Sequence, residues 1–263
     1  MYKGKKIGVV TAAYNEEKLI AETVQTIPQF VDRIYVTNDA STDATGRILA
    51  GMRDSRLLVM THAKRSGAGA ATLSGYKKAC EEGMDVVAVM AGDGQMDPAI
   101  LGRILDPVVE GKAEYSKGDR LSVPGQSRGM PAWRLFGNSL LTYIIKVASG
   151  YWRLVDPLNG YTAITRQALM RIDLDKVEKD YAFETDLLVK LNAANTTVVN
   201  VPMPARYRSE KSKITYLRFT TRLSWIIARD YAWRLWTKYL GPKSRRAPEK
   251  AEEYIENRSY RRW

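Results

Sequence analysis

The chain has 263 residues, with 41 Lys+Arg against 29 Asp+Glu for a formal charge of +12, one His and one Cys. That length suits one large domain or one domain with an appendage, and 45% hydrophobic residues supply a sizeable core. The single Cys80 excludes an intrachain disulfide and a thiolate-rich metal centre, and the single His62 excludes a two-His metal site and leaves a Ser-His-Asp triad only that residue to use.

Ile7–Ala13 is a short β-branched run that reads as a buried strand, ended by polar Tyr14-Asn15-Glu16-Glu17. From about Glu16 to Ile27 the apolar residues recur at helical spacing, and Pro28 stops the helix. Ile34–Thr37 is a second strand, followed by the turn-rich Asn38-Asp39-Ala40-Ser41-Thr42-Asp43, whose Asp43 is placed to cap the next helix. Leu57–Met60 makes a third strand, and Ser66-Gly67-Ala68-Gly69-Ala70-Ala71 opens a helix to about Glu82. Val86–Met90 is a fourth strand, Ala91–Asp97 leaves its end, and Pro98 fits the first turn of a helix over Ala99–Glu110. Beyond Asp119-Arg120 the order loosens: a helix over Trp133–Ser149, a strand over Tyr161–Thr165, a helix over Phe183–Asn192, a strand over Val198–Val201 and a long helix over Tyr216–Leu240.

Strands alternating with helices predict an α/β fold with a mainly parallel sheet and helices on both faces. Ligands of such sheets bind at the carboxyl ends of the strands, where Tyr14-Asn15-Glu16, Asp39 and Asp93 all fall. Asp93 and Gln95, two apart on an extended segment, form an oxygen pair suited to Mg²⁺ or Mn²⁺ with phosphate and water completing the shell. Asp97 reads as an N-cap ahead of Pro98. Gly69 and Ala70 fit either an anion approaching backbone N–H groups or close packing of helix on sheet. With no Gly-x-Ser-x-Gly elbow, any chemistry rests on carboxylates, amides, basic groups and an oxygen-ligated metal.

The charge is uneven. Residues 206–263 hold 16 Lys+Arg against 6 Asp+Glu, whereas residues 1–205 hold 25 against 23. This is the pattern of a partner carrying phosphate groups, or of a solvated basic tail over the last twenty residues. No helix-turn-helix, RNA-binding or zinc signature accompanies it, so nucleic acid is not the expected partner. The helix Tyr216–Leu240 is apolar nearly all round, with Arg218, Arg222 and Arg229 on one side and Arg234 and Lys238 on the other. It reads either as a core helix in a dimer or domain contact, or as an interfacial helix whose Trp and Arg side chains lie at headgroup level.

Taken together these residues resemble the family 2 glycosyltransferases of GT-A fold, and within them the transferases that move sugars onto dolichyl or undecaprenyl phosphate. Over roughly residues 5–215 the matching pieces stand in family order. They are Ala12-Ala13-Tyr14-Asn15-Glu16-Glu17, Asn38–Asp43, Ser66–Ala70, Ala91-Gly92-Asp93-Gly94-Gln95, Asp156-Pro157-Leu158-Asn159-Gly160-Tyr161, Phe183-Glu184-Thr185-Asp186 and Ser212-Lys213.

The resemblance implies a catalytic domain over 1–215, a long apolar and basic helix over 216–241, and a charged tail over 242–263. It implies that Tyr14, Glu16 and Asp39, with Ala12, Gly69 and Gly92, line the site of a UDP- or GDP-linked sugar. Asp93 and Gln95 would bind the divalent metal on the diphosphate. Arg120, Arg134, Arg206 or Arg208, and Lys213 would neutralise the diphosphate or an acceptor phosphate, with Asp93, Asp156 and Arg134 central to catalysis. Three departures stand out: Ala12 replaces Pro, Ala91 replaces the first Asp of the metal motif, and the Ser212-Lys213 box lacks its Gly. The family inverts by one in-line displacement. A hydroxyl acceptor needs a general base, for which Asp156 or Glu184 is the candidate, whereas a phosphate acceptor is already ionised and needs none. The expected partners are a nucleotide sugar, polyprenyl phosphate and an anionic membrane surface. With no run of some 18 apolar residues and no apolar leader, the expected place is the cytoplasmic face of a membrane, held peripherally. The alternative is a soluble family 2 enzyme acting on a glycan hydroxyl.

Overall fold

The computed structural model describes residues 1–122, 132–180, 182–204 and 216–241, with backbone only for 132–138 and 216–221. Its frame is a seven-stranded sheet of β1 (Ile7–Ala13), β2 (Arg33–Asn38), β3 (Leu57–Thr61), β4 (Val86–Val89), β5 (Tyr115–Asp119), β6 (Thr162–Thr165) and β7 (Val198–Pro202), in the order β3-β2-β1-β4-β6-β5-β7. Neighbours on the β3–β4 side are parallel, and so are β5 and β7. Only β6 runs against both its neighbours, placed between β4 and β5.

Among the described residues eight helices cover the sheet: α1 (Ile20–Gln25), α2 (Thr45–Gly51), α3 (Ala68–Glu81), α4 (Leu101–Val109), α5 (Ala132–Ser149), α6 (Arg166–Met170), α7 (Phe183–Ala193) and α8 (Tyr216–Leu235, with a π turn to Leu240). The central strands are buried on both faces, which is why they read as continuous apolar runs rather than as alternation. On one face Ile7, Val9, Val36 and Ala88 pack against Ile20 and Val24 of α1, Leu49 of α2 and Leu101, Ile104 and Leu105 of α4. On the other Val10, Val87 and Tyr115 pack against α3, α5, α7 and α8. Gly75 of α3 allows the close approach: a methyl there would stand 2.4 Å from Val10 Cγ1.

Three expectations change in detail. The first helix is shorter than Glu16–Ile27, because Glu16 and Glu17 are taken up in the preceding loop. The segment after Pro98 opens as a single 3₁₀ turn, capped by Asp97 Oδ1 accepting from the Ala99 amide at 3.0 Å, before α4 begins. And β5, which the sequence did not announce, is a fully buried strand made of Tyr, Ser, Lys, Gly and Asp. At the far end α8 packs on the same core, burying Leu223, Ile226 and Ile227 between α5 and α7.

Candidate active site

The carboxyl ends of β1, β2 and β4 meet in one crevice, and the β1 and β2 loops are laced together by main-chain donors. The Asn15 amide donates to Ser41 Oγ at 3.0 Å and the Thr42 amide returns a bond to Asn15 Oδ1 at 2.9 Å. The Glu16 amide donates to Thr45 Oγ1 at 2.8 Å, and the Ala44 amide to Glu17 Oε2 at 3.0 Å. Asp43 receives the Thr45 amide on Oδ1 just ahead of α2. Asn15 holds φ at +55°, a left-handed turn that Asn tolerates better than most residues. Tyr14 is left at the surface of this lacework with the Arg65 guanidinium 4.1 Å above its ring centroid, a cation–π stack from the β3–α3 loop.

Asp39 is only 2% exposed, and its carboxylate is occupied from within. It accepts the Ser66 and Gly67 amides at 2.8 Å each, and its Oδ1 lies 2.7 Å from His62 Nδ1. His62 Nε2 in turn lies 2.9 Å from Ser74 Oγ. This is the order of an Asp-His-Ser relay, but Ser74 sits inside α3, where the neighbouring amides are already paired in the helix ladder and offer no oxyanion donors. The chain therefore fixes the β3–α3 loop. Gly69 is buried; a methyl there would stand 2.7 Å from Phe183 Cβ, and the Ala70 amide donates to the Lys179 carbonyl. Gly69 is closely packed, but on Lys179 and Phe183 at the α7 entry and not on the sheet as expected.

At the end of β4 the pair Asp93 and Gln95 sits in a turn, not on the extended segment expected, because Gly94 takes φ of +67° and Asp93 Oδ1 accepts the Gln95 amide at 3.0 Å. Gly92 brings the loop close to β1, where a methyl would stand 3.0 Å from the Ala12 carbonyl oxygen. Both Asp93 and Gln95 remain partly exposed at the crevice. Among the described residues no three His, Cys, Asp or Glu gather to hold a metal. A hard cation here would rest on the Asp93 carboxylate and the Gln95 amide oxygen, with ligand oxygens supplying the rest.

The opposite wall comes from β5, the Asp156–Tyr161 loop and α7. Asp156 is 3% exposed and grips Arg120 two-handed: Arg120 Nε donates to Oδ2 at 2.7 Å and Nη2 to Oδ1 at 3.1 Å. Asp119 turns the chain there by accepting the Leu121 and Ser122 amides. Tyr161 Oη donates to the Asp97 carbonyl at 2.9 Å, tying this wall to the Asp93 loop. Lys117 is wholly buried, with Nζ 2.5 Å from Glu184 Oε2. Arg134 lies in the first turn of α5, but its side chain, and all of Arg128, Arg206, Arg208 and Lys213, lie outside the described residues.

The long helix resolves in an inverted sense. Its inner face carries Leu223, Ile226 and Ile227 but also Asp230 and Arg234, while Trp225 (65% exposed), Trp236 and Leu240 point outward. Its described cations are paired: Arg229 reaches Glu178 at 2.8 Å, the exposed Arg222 reaches Asp180 at 2.8 Å, and the buried Arg234 donates to the Ala148 and Val147 carbonyls at the end of α5. Lys238 caps α7 through the Asn192 carbonyl. Exposed Leu140, Tyr143 and Ile144 of α5 and Trp152 beyond it extend the apolar surface. Among the described residues no helix is long and apolar enough to cross a membrane.

Arg65 escaped the sequence reading, showing only as one more basic residue in a loop. Lys117 stands among the basic residues that flank the second half of the candidate site, most of which read as surface charges, although its place two residues after Tyr115 and two before Asp119 carried a strand's period.

The profile of Glycosyl transferase family 2 matches residues 8–173. The UDP-N-acetylglucosamine–dolichyl-phosphate N-acetylglucosaminyltransferase of Methanococcus voltae is 27% identical over 77% of this chain and 86% of its own. The polyprenol monophosphomannose synthase of Mycolicibacterium smegmatis is 32% identical over 74% and 75%. Among solved structures, glucosyl-3-phosphoglycerate synthase of Mycobacterium tuberculosis, in complex with Mn²⁺, UDP-glucose and phosphoglyceric acid, superposes with a TM-score of 0.62 at 21% identity, covering 88% of this chain and 80% of that one. That likeness establishes the GT-A fold, and the profile, spanning more than half the chain, settles the rest: the protein belongs to glycosyltransferase family 2.

Proposed function

We propose that the protein transfers a sugar from a UDP- or GDP-linked donor to a polyprenyl phosphate at an anionic membrane surface. The observation that carries this reading is the Arg120–Asp156 pair. A hydroxyl acceptor requires a base at this wall, yet of the two candidates Asp156 is buried and spent on Arg120, and the Glu184 carboxylate is held by the ammonium of Lys117. A phosphate monoester, with a second pKa of about 6, reaches the site already nucleophilic and needs a cation to hold it. Arg120 is such a cation, and Asp156 orients its fork.

On the donor side, Tyr14 and Glu16 at the β1 end hold the nucleoside, and Asp39 shapes the adjoining loop. Asp93 and Gln95 would hold Mg²⁺ or Mn²⁺, which when bound offsets the charge growing on the leaving diphosphate. Arg134 and the basic run Arg206, Arg208 and Lys213 are proposed to supply further positive charge for the diphosphate or the acceptor phosphate. The exposed Trp225, Trp236 and Leu240 of α8, with Leu140, Tyr143 and Ile144 of α5, seat the enzyme at the headgroup level of the cytoplasmic face, where an isoprenoid tail can stay in the bilayer. The reading is supported by relatives named for dolichyl, polyprenol and undecaprenyl phosphate chemistry.

The test supplies radiolabelled UDP- and GDP-sugars with polyprenyl phosphate in detergent, with Mn²⁺ or Mg²⁺ and an EDTA control. EDTA-sensitive label entering the organic phase is expected. Label passing only to a water-soluble hydroxyl acceptor overturns the reading.

A further inference from the structure

Lys117 is the residue the fold has least reason to bury. Its side chain is 0% exposed in β5, where an aliphatic residue would fill the same space without losing the hydration of an ammonium group. Its Nζ meets Glu184 Oε2 at 2.5 Å, in the first turn of α7. Glu184 is not buried with it: its side chain keeps 21% of its exposure. The other oxygen, Oε1, is directed toward Gly160. A methyl built on Gly160 would stand 3.7 Å from Glu184 Oε1 and 3.2 Å from Met96 Cε. Met96 belongs to the loop of Asp93 and Gln95, held there by the Ala91 amide pointing at its sulfur, 3.1 Å away. Gly160, Met96 and Glu184 are all partly exposed and converge on one point, between the candidate diphosphate loop and the Arg120–Asp156 wall. On the nucleotide-sugar reading, this is the stretch of crevice that a donor sugar would occupy.

We propose that Glu184 is a specificity-determining residue, accepting a hydrogen bond from a hydroxyl of the donor sugar through Oε1, and that Lys117 is its positioning residue. The inference rests on the nucleotide-sugar reading above. It differs from a general base in what it predicts: the carboxylate grips the donor before reaction and takes no proton. A carboxylate held on one oxygen by a buried ammonium has its other oxygen fixed in direction, which is what distinguishing one hydroxyl configuration from its epimer requires.

The experiment compares binding of a nucleoside diphosphate alone with binding of the matching nucleotide sugar and of its deoxy analogues, by calorimetry on the full chain. The proteins are the wild type, Glu184→Gln and Lys117→Met. Glu184→Gln, nearly isosteric, is expected to weaken the nucleotide sugar about tenfold, the scale of one charged hydrogen bond. Affinity for the diphosphate alone should not change. One deoxy donor should bind the wild type more weakly yet bind Glu184→Gln no worse than the parent sugar does. Lys117→Met should reproduce the sugar-specific loss, and its unchanged diphosphate affinity reports that the site still folds.

Equal losses for diphosphate and nucleotide sugar, or a deoxy penalty that survives in Glu184→Gln, overturn the assignment. So does unchanged donor affinity in Glu184→Gln with turnover abolished, which gives the carboxylate to proton transfer. A wild type that binds neither UDP nor GDP species strikes the nucleotide-sugar reading instead, so the two failures are distinguishable.

Discussion

The two walls of the crevice are held by different kinds of bond. On the β1–β2 side the loops are fixed by backbone amides donating to short side chains of a neighbouring loop, 26 to 29 positions away: Asn15 to Ser41, Glu16 to Thr45, and Ser66 and Gly67 to Asp39. On the β5–α8 side the fixing is done by charge pairs between side chains 36 to 67 positions apart: Lys117 to Glu184, Arg120 to Asp156, Arg229 to Glu178. The first arrangement makes a rigid cradle whose shape is set by the turn residues themselves. The second places formal charges at chosen points, which suits a wall that must meet a charged acceptor. A pair of this kind also couples its members, so removing one leaves the other uncompensated.

The largest effect belongs where the cradle meets the diphosphate. Asp93→Ala should lower transfer by about 10²–10³-fold, the scale of losing a metal-supported electrostatic contact at a developing charge. Ala91→Asp, which adds a carboxylate two residues before Asp93, should act in the opposite sense on the metal alone. It is expected to lower the Mn²⁺ concentration for half-maximal activity several-fold, read from a metal titration at fixed donor. If Asp93→Ala leaves the titration unmoved, the metal is held elsewhere.

Next comes the charge-paired wall. Arg120→Ala and Asp156→Asn should each lower turnover by about 10–100-fold, and the double variant should lose little more than the worse single, because paired groups are not additive. Additive losses in this cycle would separate Asp156 from Arg120 and revive it as a base acting on its own. The donor affinity of Asp156→Asn serves as the control, since the β1–β2 cradle does not touch that residue.

The difference between the walls also explains what was legible. The strands β1 to β4 and the Asp97 cap could be read because each is decided by neighbours within a few residues; the turn motifs could be read from their residue types, but not the cross-loop bonds that hold them. Strand β5 could not, because Lys117 and Asp119 look like surface residues until Glu184, sixty-seven positions away, and the Leu121–Ser122 turn supply their partners. The helix α8 was ambiguous for the same reason. Arg234 faces inward because carbonyls at the end of α5 accept from its guanidinium, and Asp230 is buried beside it with Arg229 of its own helix, while Trp225 and Trp236 are turned out. A pattern of hydrophobicity cannot report a partner it does not contain. Likewise Asp39 is readable as a strand-end carboxylate, but the amides that occupy it belong to a loop that only folding brings there.

If those outward rings are a membrane seat, Trp225→Ala combined with Trp236→Ala should weaken binding to vesicles of anionic phospholipid by about tenfold or more, two aromatic side chains' worth of apolar burial. The thermal midpoint should hardly move, since both rings are exposed in the folded chain. An unchanged vesicle affinity would leave the surface to another partner.

The smallest effect tests the charge pairing beneath that helix. Asp230 is 3% exposed, its Oδ2 has no hydrogen-bond partner among the described residues, and its carboxyl is pushed up to about 6 by burial and by the nearby Asp186 charge, against the pull of Arg229 and Lys190. A carboxyl whose folded value stands above its unfolded value of about 3.9 binds its proton more tightly in the native state. Its contribution to stability is therefore complete below about pH 4 and lost as the pH rises through about 6. Asp230→Asn lacks that proton linkage. The stability of the variant relative to the wild type should thus be higher at pH 8 than at pH 5, by of order 1 kcal/mol after screening, or a few degrees in Tm. Equal differences at the two pH values would mean that Arg229 fully compensates the buried charge, and the α7–α8 contact would then hold the same way across this range.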